Sequence, residues 1–120
     1  DLYAMAGIGP ADVGNVQRCE NFTGAVVMAL AEHGFYAPAQ ANDFLQLDNL
    51  LAPDGRLPLN TSGGNLAECY LQGFELVVEA VRQIRGQSTS QARRHDVSLV
   101  ISGPMVTPAS SLLLGSENAL

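Results

Sequence analysis

The sequence predicts an α/β domain whose elements run β-α-β-α-β-β, a mixed sheet covered by helices. Three observations carry this expectation. Two stretches, "FTGAVVMALAEHGF" and "FELVVEAVRQIRG", place apolar residues at helical spacing and close on glycine. Two runs near the C-terminus, "DVSLVISG" and "TPASSLLLG", read as strands. A length of 120 residues with 47% hydrophobic content fills one core but not two, so residues 1–120 are one domain or one piece of a larger one.

Taken in order, "AMAGIGPADVG" starts like a helix but is broken by Gly7, Gly9 and Pro10, and reads as a turn into a short strand over residues 14–18. From Glu20 or Asn21 the chain turns helical, with Phe22, Val26, Ala29, Leu30 and His33 at helical spacing and Gly34 as the stop. Residues 25–31 are apolar on nearly every side, which predicts a helix sandwiched between layers. A loop follows, with a weak helical turn near residues 42–47, a turn at Pro53-Asp54-Gly55 and a short strand over residues 56–60. The second long helix is expected from about Cys69 to Arg85, with Phe74, Val77, Val78, Val81 and Ile84 on one stripe. Glu75, Glu79, Arg82 and Gln83 lie opposite, and Gly86 is the stop. "QSTSQARRH" is a polar connector whose tip should be mobile, and the last two strands meet in a turn at Gly103-Pro104.

Twelve acidic against six basic residues, all of the latter arginine, give a formal charge of −6. Such a surface repels phosphate backbones, so nucleic-acid and anionic-membrane binding are not expected. The longest apolar run is too short to span a bilayer, and the opening "DLYAMAGIGP" has neither an initiator Met nor the order of a signal peptide. A soluble, cytoplasmic fragment with reduced thiols is expected. Cys19 and Cys69 lack the paired spacing of zinc sites, the two histidines lie in unrelated segments, and no metal site is expected. The sequons at Asn21 and Asn60 are read as chance.

Three blocks carry a resemblance: "AGIGPADVGNVQRCENFTGAVVMALAEHGF", "LPLNTSGGNLAECYLQGFELVVEAVRQIRG" and "VSLVISGP". In order and spacing they resemble the C-terminal half of the thiolase superfamily, closest to its lipid-transfer or sterol-carrier branch. The resemblance implies the second half of a two-halved αβαβα sandwich, with the nucleophilic cysteine in the other half. It implies homodimerisation of the parent protein through that other half, acyl-CoA as substrate, and no cofactor bound by this chain. It also implies pairing with a small OB-fold, zinc-containing acyl-CoA-binding protein.

Each catalytic loop of the family is altered here. Cys19-Glu20-Asn21-Phe22 stands where thiolases have Asn-Glu-Ala-Phe or His-Asp-Cys-Phe. Cys69-Tyr70-Leu71 replaces Gly-His-Pro, and Ser102-Gly103-Pro104 replaces Cys-x-Gly-Gly. A serine hydroxyl cannot shuttle protons as a thiol near ~8.5 does, so ordinary thiolase chemistry is not expected. The pattern is similar to that of the lipid-transfer-protein-type aldolases of steroid side-chain degradation, in which a tyrosine replaces the histidine. This implies retro-aldol cleavage of a β-hydroxyacyl-CoA with Tyr70 as base, supported by Glu20 and Cys19. Asn60, Gly63, Gly64, Ser102 and Gly103 would line the substrate side, and backbone amides near Gly63-Gly64 or Gly103 would stabilise the thioester enolate. One departure is Cys19, where these aldolases carry a second tyrosine.

Other readings stand beside this one. By periodicity alone Tyr70 is a packed aromatic on the inner stripe of a helix. Cys19 serves equally as a small buried apolar residue, Glu20 as a cap for the helix it precedes, and "NTSGG" as a tight turn. His33 is explained by the helix dipole and His95 as a solvated surface residue. An acetyl-CoA acetyltransferase or β-ketothiolase, and a non-catalytic acyl-CoA-binding or scaffold subunit, are the alternative functions.

Overall fold

A computed structural model describes residues 2–103 and 108–119. The chain opens with α1 (Leu2–Ala6) and a 3-10 turn, Pro10–Asp12, before β1 (Asn15–Arg18) and α2 (Thr23–Glu32). Another 3-10 turn leads to α3 (Ala41–Phe44) and α4 (Leu47–Leu50), then α5 (Gly64–Ala67) and α6 (Phe74–Ile84). The chain finishes with β2 (Val97–Ser102) and β3 (Ser110–Gly115). The predicted turn at Gly103-Pro104 falls partly outside the described residues.

The sheet has three strands in the order β1-β2-β3, with β1 and β2 parallel and β2 and β3 antiparallel. It is mixed, as expected, and has a helix on each face. Alternation along the strands decides what each helix meets. Val16, Val97, Leu99 and Ile101 point to the α2 side, where they pack with Val26, Ala29 and Leu30. Val100 points the other way, against Leu76 and Ala80 of α6. Both long helices stop as their glycines predict. Gly34 and Gly86 take φ of +82° and +66°, and the next residues, Phe35 and Gln87, return their N–H groups to Leu30 and Arg82.

Four expectations about strands and helices need correction. Residues 56–60 form no strand, since only Leu59 bridges to Val16, and Asn60 then turns out of the extended region at φ +49°. The second helix starts at Phe74 rather than Cys69, because Gln72 and Gly73 take positive φ and break the run. The first long helix is not sandwiched within the described chain: Val26, Ala29 and Leu30 are buried, but Met28 is 59% exposed.

The last correction concerns which face of α6 points inward. Glu75, Leu76, Glu79, Ala80 and Gln83 are its buried residues, while Phe74 is 63% exposed and Val77, Val78 and Val81 are half-buried. The polar stripe lies on the sheet because the sheet face beneath it is polar too. Asn15, Gln17 and Ser98 are fully buried there, and Ser98 Oγ donates to Asn15 Oδ1 at 2.6 Å. Glu79 Oε1 accepts from Thr61 Oγ1 and Ser88 Oγ at 2.6 Å each and from Gln83 Nε2 at 3.1 Å. Gln83 Oε1 in turn accepts the Ala92 N–H at 2.9 Å. A buried carboxylate is tolerated because hydroxyl and amide donors replace water around it. The same bonds hold the connector that was expected to have a mobile tip.

Candidate active site

β1 and β2 are parallel, so their C-terminal ends lie at one edge of the sheet, the edge at which α/β folds place ligands. Three loops leave that edge: the one after Arg18, the one after Leu59 and the one after Ser102. The structure joins the first two through Glu20. Its Oε1 accepts the Leu66 N–H at 3.2 Å, and its Oε2 accepts Asn65 Nδ2 at 3.1 Å and Asn60 Nδ2 at 3.5 Å. Glu20 therefore does not cap the helix that follows it, whose N-cap is Phe22 with no side-chain bond. Its carboxylate crosses to the neighbouring loop instead.

Asn60 binds both backbone groups of Arg18: its Oδ1 accepts the N–H at 2.7 Å and its Nδ2 donates to the carbonyl at 2.9 Å. A side chain here extends the sheet ladder after the backbone has turned away. Cys19 is a free, half-buried thiol packed against the Leu76 cluster, with Sγ 3.5 Å from Asn65 Nδ2. Gly64 sits so close to Glu20 that an added Cβ would lie 2.6 Å from Oε1, and its φ of +68° suits glycine alone.

The third loop is tied in by Arg18, whose Nη1 donates to the carbonyls of Cys19 at 2.8 Å and Gly103 at 3.3 Å. Sequence reasoning passed over this residue, although an arginine placed in a short strand was a signal once the strand is found buried. Asn65 and Thr61 were also missed, having no motif to mark them. Of the amides expected near an enolate, that of Gly63 is spent on the Asn60 carbonyl at 2.8 Å. Those of Gly64 and Gly103 have no acceptor among the described residues. Ser102 closes β2 opposite Ser110 and is half-buried.

Tyr70 lies in the loop between α5 and α6, not on the inner stripe of a helix, and is 63% exposed. Its hydroxyl has no hydrogen-bond partner among the described residues, Cys19 and Ser102 included. Its loop is fixed at both ends. Arg82 Nη1 holds Glu68 at 2.8 Å, and Glu75 Oε2 accepts the Leu71 N–H at 3.0 Å. Leu66, Leu71 and Phe74, close to it in sequence, are exposed as well. His95 is half-buried, with Nδ1 3.2 Å from the carbonyls of Ala92 and Arg93, rather than solvated. His33 Nδ1 lies 2.7 Å from the Ala29 carbonyl and Nε2 2.8 Å from Ser111 Oγ, which links α2 to β3. No helix among the described residues is long and apolar enough to cross a membrane.

Helix-covered mixed sheet and loop-bearing edge together define a thiolase-like C-terminal domain, and the chain belongs to the family described as thiolase C-terminal domain-like, matched over residues 1–116. It is 42% identical over 97% of its length to the steroid side-chain-cleaving aldolase of Thermomonospora curvata. It is 40% identical over 95% of its length to the 17-hydroxy-3-oxo-4-pregnene-20-carboxyl-CoA lyase of Mycobacterium tuberculosis. Among solved structures it resembles the Ltp2-ChsH2(DUF35) aldolase, with a TM-score of 0.83 at 40% identity, covering 97% of this chain and 30% of that one. The chain spans 29% of the length of each of these two curated relatives.

Proposed function

We propose that this chain is the C-terminal domain of a lipid-transfer-protein-type aldolase that cleaves a β-hydroxyacyl-CoA, with a steroid side chain as the substrate class. The observation that carries the proposal is the identity of about 40% to two aldolase-type proteins over nearly the whole chain. Tyr70 is the base. It takes the proton of the β-hydroxyl, and that oxygen's electron pair becomes the carbonyl of the departing ketone. The Cα–Cβ bond breaks, and its pair passes into the thioester to form an enolate. Cys19 gives its thiol proton to Cα, which releases a shorter acyl-CoA, and the proton taken up by Tyr70 passes through water to the thiolate, restoring both groups. The free amides of Gly64 and Gly103 supply donors for the enolate oxygen.

The exposed run from Leu66 to Phe74 and the outward apolar stripe of α6 are the surface on which the rest of a two-halved protein packs. That packing encloses Tyr70, which this chain alone leaves open. A small OB-fold, acyl-CoA-binding protein is the proposed partner, in keeping with the two-component name of the structural relative. The parent protein is a homodimer on this reading, and lies in the cytoplasm.

The test is turnover by the intact protein with its partner, followed as ketone and acyl-CoA release from a β-hydroxyacyl-CoA. Tyr70→Phe is expected to lower kcat by roughly 10²–10⁴. Unchanged turnover would remove Tyr70 from the mechanism. Robust thiolysis of acetoacetyl-CoA would replace the lyase reading with acyl transfer.

A further inference from the structure

A cleft between α2 and the end of β2 is built around a cation that no carboxylate of the described chain neutralises. Arg18 leaves β1 on the same face as Val16, toward α2, and is only 3% exposed. Among the described residues, both hydrogen bonds of its guanidinium come from Nη1 and end on backbone carbonyls. Nε is buried without a partner, and no Asp or Glu among the described residues forms an ion pair with the guanidinium. Carbonyl dipoles compensate only part of the cost of burying a full charge.

Arg18 lines a cleft of about 400 Å³ whose other walls include Phe22, Thr23, Gly24, Met28 and Ile101. α2, ten residues long, opens onto it with an uncapped first turn. Among the described residues, the amides of Thr23 and Gly24 have no acceptor. A helix start of this kind attracts negative charge, and here it faces the same space as an unneutralised arginine. Phe22, Met28 and Ile101 give the cleft an apolar side, on which Phe22 and Met28 are 55% and 59% exposed, while Glu32, His33 and Ser102 also line it.

We infer that this cleft binds an amphipathic monoanion, a carboxylate carrying a short hydrocarbon tail. The carboxylate meets the guanidinium of Arg18 and the free amides of Thr23 and Gly24, while the tail lies along Phe22, Met28 and Ile101. One negative charge fits better than a diphosphate, because Glu32 also lines the cleft and the chain carries a formal charge of −6. The cleft shares Arg18 and Ser102 with the loop edge described above, but it opens on the α2 face of the sheet, opposite the α6 face next to which Tyr70 lies.

Isothermal titration of the intact protein with octanoate, octanol and acyl-free CoA tests it. Octanoate is expected to bind saturably, and octanol roughly ten- to a hundredfold more weakly. Arg18→Met should reduce octanoate to the octanol level and leave octanol unchanged. Met28→Trp, at an exposed helix position that does not burden folding, fills the cleft and should weaken both. Absence of octanoate binding, equal binding of octanoate and octanol, or displacement of octanoate by CoA would each overturn the assignment. So would Met28→Trp binding octanoate like the parent, which decides the matter even where Arg18→Met fails to fold.

Discussion

Gly64 and Glu20 are a matched pair, each fixing what the other position can hold. The glycine supplies a left-handed φ and the space a Cβ would take, and the carboxylate uses that space to receive Asn60, Asn65 and the Leu66 amide. Gly64→Ala therefore incurs two costs, the strained φ and a displaced carboxylate. A loss of about 1–3 kcal/mol in stability is expected, read from the midpoint of urea unfolding. Cleavage activity should fall with it, because the same displacement frees the loop after Leu59. Of the residues that sequence reasoning placed in one site, Glu20, Asn60 and Gly64 lie together in the fold, and Cys19 reaches them through Asn65. It also placed Tyr70 there, yet within this chain the tyrosine stands apart on an exposed loop. The family spacing of Tyr70 is legible in one dimension, but what encloses its ring is not encoded in these residues.

α6 shows why an amphipathic stripe can be found correctly and still be assigned to the wrong side. The period of apolar residues marks a helix with two unlike faces, and that much was legible. Which face meets the sheet depends on residues far away in sequence: Asn15, Gln17 and Ser98 make the sheet surface polar, and Thr61, Ser88 and Ala92 complete it. Helical periodicity within residues 74–84 holds no record of them. Gln83→Leu, a change toward the usual buried residue, is consequently expected to destabilise. It strands the Ala92 N–H, the Ser90 carbonyl and part of the Glu79 shell, each worth roughly 1–3 kcal/mol. A lower denaturation midpoint with an unchanged slope checks this, and a gain in stability would contradict the network.

Over the whole molecule, two phenols tie the outer segments to the body. Tyr3 Oη donates to the His33 carbonyl at 3.1 Å and Tyr36 Oη to the Val27 carbonyl at 2.7 Å. Burial raises both above the ordinary value of 10.0, so the folded chain resists their ionisation more than the unfolded one. Their contribution to stability is complete below that value and is lost as pH rises through the folded values. Melting temperature should fall at alkaline pH, and Tyr3→Phe with Tyr36→Phe should flatten the fall. At the acid end, the hydrogen bond from Arg93 holds the exposed Asp54 carboxyl below its usual range, and that pair is released as pH falls through the lowered value. The three strands at residues 15–18, 97–102 and 110–115 and the two long helices were legible because short-range pattern decides them. The polar layer and the loss of the strand at residues 56–60 were not, because Asn60 answers to Arg18, 42 positions earlier. The stretch from Ser88 to Ala92 looks like the natural place to open the chain or splice in a foreign segment, being rich in serine and glutamine. Yet Ser88 stands in for water on a buried acid, and Ser90, Gln91 and Ala92 grip the glutamine beside it, so a cut there would drain the interior rather than trim an edge.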